Sequence, residues 1–79
     1  MAQSLRRQFG TRLKAIRLER KLTQEQFAEL VGISVDFLSL IERGLNAPSF
    51  SVLEQMARRL RLPVRDLFDF SAVPPAVRR

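Results

Sequence analysis

The segment Thr23–Arg43 constrains the fold more than any other part of the chain, because it is typical of two short helices joined by a glycine turn. Thr23, followed three residues later by Gln26, forms the capping box that opens a helix. Gly32 stands where that helix must end, since glycine takes a left-handed conformation at little cost. Ser34 can then cap a second helix. The pattern predicts a helix of about eight residues on each side of a tight turn.

Two such helices around a glycine turn form a helix-turn-helix motif, which cannot bury its own apolar faces and needs flanking segments to cover them. Helical spacing of apolar residues predicts a first helix over about residues 3–20 and a fourth over about residues 50–60, with Ser49 as its cap. Pro63 suits the opening of a fifth short helix, from Val64 to about Phe70. The predicted core stripes are Leu5, Phe9, Leu13 and Ile16 in the first helix, and Phe50, Leu53, Met56, Ala57 and Leu60 in the fourth.

At 79 residues the chain is one small domain, predicted to be an all-α bundle of five short helices over residues 1–70. Residues 71–79 contain two adjacent prolines and two terminal arginines, and are predicted to form an extended or disordered tail. A domain of this size buries a modest share of its surface, so dimerisation would add stability.

The composition excludes several classes of function. The chain has no cysteine and no histidine, which removes the commonest nucleophile, general base and metal ligands. Its three glycines are isolated, so no loop is suited to cradle a phosphate. No apolar run approaches the roughly 20 residues of a membrane span, and no signal peptide is indicated. We therefore expect no enzymatic activity, no metal, no cofactor and no membrane association, and a cytoplasmic, nucleoid-associated location.

The net charge of +6 indicates a polyanionic partner, although the charge is unevenly distributed. Residues 1–21 carry seven Lys/Arg and one acid, residues 22–57 one Arg and five acids, and residues 58–79 six Arg and two acids. The helix-turn-helix is thus acidic between basic flanks. The alternative is that these charges only solvate helix faces.

A helical projection of the third helix from Leu38 leaves Glu42 about 40° from the inward direction. A carboxylate that points inward is costly unless it is paired, and Arg17 on the flank of the first helix is the nearest partner. The sequence therefore predicts a buried Arg17–Glu42 salt bridge. The alternative is an exposed Glu42, with Arg17 extending along the surface to solvent.

The opposite side of the same projection bears side chains suited to DNA recognition. Asp36, Ser39, Leu40 and Arg43 point away from the core, with Val35 beside the helix start. Serine and aspartate can bond base edges, and an apolar side chain can touch a thymine methyl group. Arginine can contact a phosphate or a guanine. The leucine has two alternative interpretations: an apolar patch for a protein partner, or a single exposed leucine without a role.

Four segments carry a family resemblance: Leu22–Ala28 (LTQEQFA), Gly32–Ser34 (GIS), Phe37–Gly44 (FLSLIERG) and Ala47–Ser49 (APS). They resemble the Cro/C1-type (XRE) family of phage-repressor-like helix-turn-helix regulators, over about residues 9–68. The resemblance implies a five-helix, lambda-repressor-like DNA-binding domain whose second and third helices read the major groove. It also implies a two-fold dimer on a palindromic operator.

The resemblance further implies which side chains meet DNA. Gln24, at the amino end of the second helix, offers an amide and free backbone N–H groups to a phosphate and matches the family's phosphate-contact glutamine. Arg43 and Asn46 are likewise assigned to the DNA backbone. In some members the positions matching Arg17 and Glu42 form a salt bridge, in agreement with the projection. The implied base-reading residues are Ser34, Val35, Asp36, Ser39 and Leu40.

Two hypotheses of different class follow. The first is a dimeric, sequence-specific transcriptional regulator whose dimer interface uses surplus apolar residues near the fifth helix, namely Val64, Phe68 and Phe70. The alternative is an antitoxin or adaptor-type module that uses the same fold to hold a protein partner. The size resembles restriction–modification controller proteins, antitoxins and short phage repressors, and no small-molecule effector is expected.

Overall fold

The computed structural model describes residues 4–73, and all regular structure in that range is helical. Two short 3₁₀ segments, Val64–Phe68 and Phe70–Ala72, follow four α-helices. The all-α class predicted from the sequence is confirmed, with no strand among the described residues. The α-helices are α1, Leu5–Glu19; α2, Gln24–Val31; α3, Val35–Glu42; and α4, Phe50–Leu60.

The ends of α2 and α3 are formed by the residues predicted to cap them. The Thr23 hydroxyl accepts from the backbone N–H of Gln26 at 3.1 Å, and the Gln26 side chain accepts from the Thr23 N–H at 2.9 Å. Gly32 ends α2 with a φ of 82°, and Ser34 caps α3 by accepting from the N–H of Phe37. These bonds satisfy backbone groups that a helix end leaves unpaired. The boundaries of the helix-turn-helix are therefore set by contacts local in sequence.

The fifth short helix predicted from Val64 to about Phe70 is a 3₁₀ helix over Val64–Phe68, not an α-helix. Pro63 is extended (φ −66°, ψ 149°), and the N–H of Asp66 donates to the Pro63 carbonyl at 2.9 Å, an i to i+3 bond. The segment is only five residues long, and within it Leu67 must be placed in the core, where it is fully buried. A 3₁₀ turn closes in fewer residues than an α-helix, so it suits so short a segment.

Regular structure among the described residues continues past residue 70, the predicted end of the domain. Residues 71 and 72 belong to the second 3₁₀ segment, and Val73 is buried. The rest of the segment predicted to be an extended tail, residues 74–79, lies outside the described residues.

One apolar core joins the four α-helices to the first 3₁₀ segment. Two residues of the predicted stripes lie outside it: Phe50 is 86% exposed and Leu5 is 60% exposed. Their assignment to the core is wrong because each begins its helix, where no described element covers the first turn. The core consists of Phe9, Leu13, Ile16, Phe27, Ala28, Val31, Leu38, Ile41, Leu53, Met56, Ala57, Leu60 and Leu67.

Arginine side chains tie α1 to the rest of the fold. Arg12 is buried, and its Nε donates to the backbone oxygen of Asp66 at 2.9 Å. Arg20 donates from Nη2 to the backbone oxygen of Leu60 at 2.8 Å, at the carboxyl end of α4. Hydrogen bonds from a charged donor to a carbonyl are stronger than neutral ones. Two cations on and just after α1 therefore stabilise the fold through hydrogen bonds.

Candidate DNA-binding surface

The turn between α2 and α3 is held from behind by α4. Gln55 donates from Nε2 to the backbone oxygens of Val31 at 2.7 Å and Gly32 at 3.1 Å, which satisfies carbonyl groups at the end of α2. Fully buried apolar residues hold α2 and α3 together. They are Phe27 and Val31 of α2, and Leu38 and Ile41 of α3. The relative orientation of the two helices is thus fixed by packing on one side and hydrogen bonds on the other.

The predicted base-reading residues begin at the cap of α3 and follow its first two turns. Ser34 and Asp36 are exposed, and Val35, Ser39 and Leu40 are half-buried. Val35 also packs against the core, and the Ser34 hydroxyl is occupied by the cap bond. Asp36 and Ser39 therefore have the polar groups most available to a base edge. Contact of all five with DNA stays a prediction.

The predicted contact between Arg17 and Glu42 is present and bidentate. Nε of Arg17 donates to Oε2 of Glu42 at 2.8 Å, and Nη2 donates to Oε1 at 3.0 Å. The two side chains are only 11% and 4% exposed. The alternative of an exposed Glu42 is therefore wrong. A fork-shaped guanidinium on a carboxylate fixes both position and angle, so the pair joins α1 to the end of α3 in one geometry.

The same carboxylate also reaches the amino end of α2. Gln24, predicted to contact a phosphate, donates from Nε2 to Oε1 of Glu42 at 3.1 Å. The backbone N–H groups of Gln24 and Glu25 have no hydrogen-bond partner within residues 4–73. Free N–H groups at a helix amino end favour an anion. The amino end of α2 and the carboxyl end of α3 are thus joined at a single carboxylate.

Further polar and basic side chains adjoin the carboxyl end of α3. Arg43 is exposed there, and Asn46 is exposed with its Oδ1 accepting from the N–H of Ala47 at 2.9 Å. Arg7 of α1 packs its aliphatic stem against Gly44, where an added Cβ would lie 2.6 Å from the Arg7 Cγ. Sequence reasoning did not single out Arg7 because no periodicity links it to this loop.

The surface cations of the amino-terminal part of the chain are fewer than its composition suggests. Arg12, Arg17 and Arg20 donate to groups inside the fold. The cations of this region that are available to a polyanionic partner are therefore the side chains without such bonds. These exposed cations are Arg6, Arg7, Lys14 and Lys21.

An apolar groove lies on the surface between the start of α1 and the start of α4. We call it the Phe50 groove, and it is lined mainly by Leu5, Phe9, Pro48, Phe50, Leu53 and Phe68. A second depression continues it past Phe50 to Val64. Exposed apolar surface of this kind is typical of a contact site.

The residues predicted to form a dimer interface are placed unequally around this groove. Val64 is 42% exposed at its edge. Phe68 lies in the groove, half-buried, with its ring centroid 5.1 Å from that of Phe9. Phe70 is half-buried with its ring 6.2 Å from that of Phe68. The sequence missed the most exposed aromatic ring of the groove, Phe50, because its helical spacing matches the core stripe.

Residues 4–73 contain no group of three or more acidic side chains that could hold a metal ion. Over the same range, no helix has both the length and the apolar character needed to cross a membrane.

A rigid pair of helices with a polar, accessible first turn on the second helix defines a helix-turn-helix protein of the DNA-binding class. Comparison with known families agrees: the helix-turn-helix family HTH_3 matches residues 13–67. The chain belongs to this family, which is of the Cro/C1 (XRE) type, so the resemblance found in the sequence is confirmed. The family consists of transcriptional regulators and is not enzymatic, in agreement with the prediction that this chain is not an enzyme.

Individual relatives include repressors and controller proteins. The chain is 51% identical over 55 residues to the immunity repressor protein of Bacillus phage phi105, covering 70% of this chain but only 38% of the repressor. It is 30% identical over 74 residues to the control protein C.BamHI of Bacillus amyloliquefaciens, covering 92% and 91% of the two chains. The crystal structure of the restriction–modification controller protein C.AhdI from Aeromonas hydrophila superposes with a TM-score of 0.74 at 32% identity, covering 80% of this chain and 96% of that one.

Proposed function

We propose that the protein is a sequence-specific regulator of transcription that binds double-stranded DNA as a dimer, through the major groove of a palindromic operator. One observation carries the proposal: α3, whose first turn is accessible, is joined at its carboxyl end to the amino end of α2 through the buried carboxylate of Glu42. A recognition helix must be held in a fixed orientation to place its side chains on base edges. The names of the relatives, which are repressors and regulators, support this function.

The proposed contacts divide into positioning and reading. Gln24, Arg43 and Asn46 contact phosphates and set the register, while sequence is read at base edges. Asp36 accepts from cytosine N4 and repels phosphate, which makes it a discriminator, and Ser39 donates to or accepts from a base edge. Ser34, Val35 and Leu40 complete the reading face.

Long-range attraction to DNA comes from outside the reading face. The segment that forms α2 and α3 is acidic, whereas exposed cations lie on and just after α1. The side chain of Arg7 packs against Gly44, the residue that follows Arg43 in the sequence. Arg7 therefore adds a cation near the carboxyl end of α3. Cations placed around the recognition helix raise the association rate without specifying sequence.

The dimer is proposed to form through the Phe50 groove. Phe50 is 86% exposed and adjoins Leu5 and Val64, so a second copy would remove apolar surface that this fold leaves in water. A two-fold interface places the same patch on both subunits, and an aromatic ring that enters the partner's groove satisfies that symmetry. Phe68 and Phe70 act from the inner side of the interface.

The proposal is tested by selecting bound duplexes from a random DNA pool. The expected product is a two-fold symmetric site with half-site centres about 10 bp apart. Ser39→Ala, which changes the reading face only, is the matched test variant and should weaken the enriched consensus while leaving the fold intact. Sequence-blind binding that disappears with moderate salt would contradict the proposal.

A second candidate function is supported by one apolar feature beside the reading face. Leu45 is 55% exposed, and its N–H donates to the carbonyl of the half-buried Leu40. These leucines suit a protein partner, as in an antitoxin or adaptor. In either case we propose action in the cytoplasm, at the nucleoid. Titration against random and selected duplexes at two salt concentrations separates the two candidates, because a protein-binding module shows no preference for the selected sequence.

A further inference from the structure

The carboxylate of Glu42 is shared by two donors from two different helices. Oε1 accepts from Nη2 of Arg17 at 3.0 Å and from Nε2 of Gln24 at 3.1 Å, while Oε2 accepts from Nε of Arg17 at 2.8 Å. The remaining Arg17 nitrogen, Nη1, donates to the backbone oxygen of Leu22 at 3.1 Å. Four hydrogen bonds therefore hold the start of α2, the loop before it and the end of α3 on one ion pair.

This arrangement determines which way the Gln24 amide points. An ionised carboxylate only accepts hydrogen bonds, so the Gln24 atom that faces Glu42 must be the NH₂ group and not the oxygen. One of the two Nε2 protons is used in that bond, and the other remains for a further acceptor. A phosphate also only accepts, so this second proton is what the side chain can offer to DNA.

We propose that Glu42 is a positioning residue for DNA binding, which orients the amide of Gln24 to donate its free N–H to a phosphate. The inference rests on the proposed function. Gln24 has a long, flexible side chain at the half-buried start of α2, and DNA binding would otherwise have to remove its rotamer freedom. The bond to Glu42 removes that freedom before DNA arrives, and Arg17 holds Glu42 in place for the task.

The inference is tested with a double-mutant cycle on binding to the selected operator. The pair variant Arg17→Met/Glu42→Leu removes both charges together, which avoids a buried uncompensated charge and leaves the net charge unchanged. In the otherwise native protein we expect it to weaken binding about fivefold. In a Gln24→Ala background the same pair of substitutions should change binding by less than about twofold, because its effect passes through Gln24.

A matched control separates orientation of Gln24 from general stability. Gln55 also anchors α2 by hydrogen bonds, but at the opposite end of that helix. Combined with Gln55→Ala, the pair variant should keep its full fivefold effect on operator binding. All measurements are made at a temperature at which circular dichroism shows every variant folded. If the pair variant does not fold, Glu42→Gln replaces it in the same cycle, with a smaller expected loss because the amide oxygen still accepts.

The hydrogen bond is also measured without DNA. In nitrogen–proton NMR spectra, the side-chain NH₂ resonances of Gln24 should move when the pair at positions 17 and 42 is replaced, and those of Gln55 should not. Unchanged Gln24 resonances, or equal losses of binding with and without Gln24, would overturn the inference while leaving the proposed function intact. If the native protein enriches no DNA sequence, the proposed function and this inference fail together.

Discussion

Gly10 of α1 lies directly against the carbonyl oxygen of Ile41 near the end of α3, and a Cβ at position 10 would overlap that oxygen. In the sequence alone, a glycine inside a predicted helix only weakens that helix. Its position explains its presence, because the backbones of α1 and α3 meet there without an intervening side chain. This close approach brings Arg17 of α1 to Glu42 of α3.

The first prediction concerns Gly10→Ala. Helix propensity alone would stabilise the protein by about 1 kcal/mol, but the added methyl group must push α1 away from α3. We expect a net loss of about 1–3 kcal/mol in the free energy of unfolding, measured in urea. The exposed substitution Lys14→Ala on the same helix is the control and should change stability little. A more stable Gly10→Ala protein would contradict the close approach.

The second prediction concerns the buried ion pair. Glu42→Ala leaves the Arg17 guanidinium buried without its carboxylate, and we expect it to cost on the order of 3–5 kcal/mol of stability. Arg17→Met/Glu42→Leu should recover most of that loss, because no lone charge remains. Thermal unfolding followed by circular dichroism measures both. An unchanged melting temperature for Glu42→Ala would show that the pair has no structural role.

The third prediction concerns Arg43. As a phosphate contact, it should contribute equally to every DNA sequence. Arg43→Ala should therefore weaken selected and random duplexes by the same factor and lower the slope of log affinity against log salt by about one. Arg65, exposed on the first 3₁₀ segment and outside the helix-turn-helix, is the matched control. A changed sequence preference would instead assign Arg43 to a base.

The fourth prediction concerns Asp36. Replacing it by Asn, Ala or Ser removes the carboxylate that we propose discriminates between bases, so the preferred operator should change at one position of each half-site. Affinity for random DNA should stay equal or rise, because a charge that repels phosphate is lost. Selection experiments on the series measure the preference, with Glu54→Gln on α4 as the control. An operator unchanged across the series would remove Asp36 from the reading face.

The fifth prediction concerns Phe50. Because it is 86% exposed in the single chain, Phe50→Ser should leave the stability of an isolated subunit nearly unchanged. It should shift the monomer–dimer equilibrium toward monomer by at least tenfold in the dissociation constant if the ring enters a partner's groove. Sedimentation equilibrium measures this shift. Leu45→Ser, another exposed apolar residue outside the groove, is the control. A native protein that is monomeric at micromolar concentration would contradict the proposed dimer.

The sequence by itself determined the helix-turn-helix. Its caps at Thr23 and Ser34 and its turn at Gly32 depend on groups three to four residues apart, so the local order of residues is enough to locate them. Helical periodicity also identified Glu42 as an inward carboxylate and Arg17 as its partner. A buried charge leaves few alternatives, because it must be neutralised by a group within reach.

Only the tertiary structure decided how the remaining surfaces are used. Phe50 repeats at core spacing, yet it is exposed because α4 begins beyond the elements that could cover its first turn. Arg12 and Arg20 look like surface cations, yet they bond carbonyl groups far along the chain. The bond from Gln24 to Glu42 likewise joins two helices. Periodicity gives the direction of a side chain from its own helix, but what lies in that direction depends on how the helices pack.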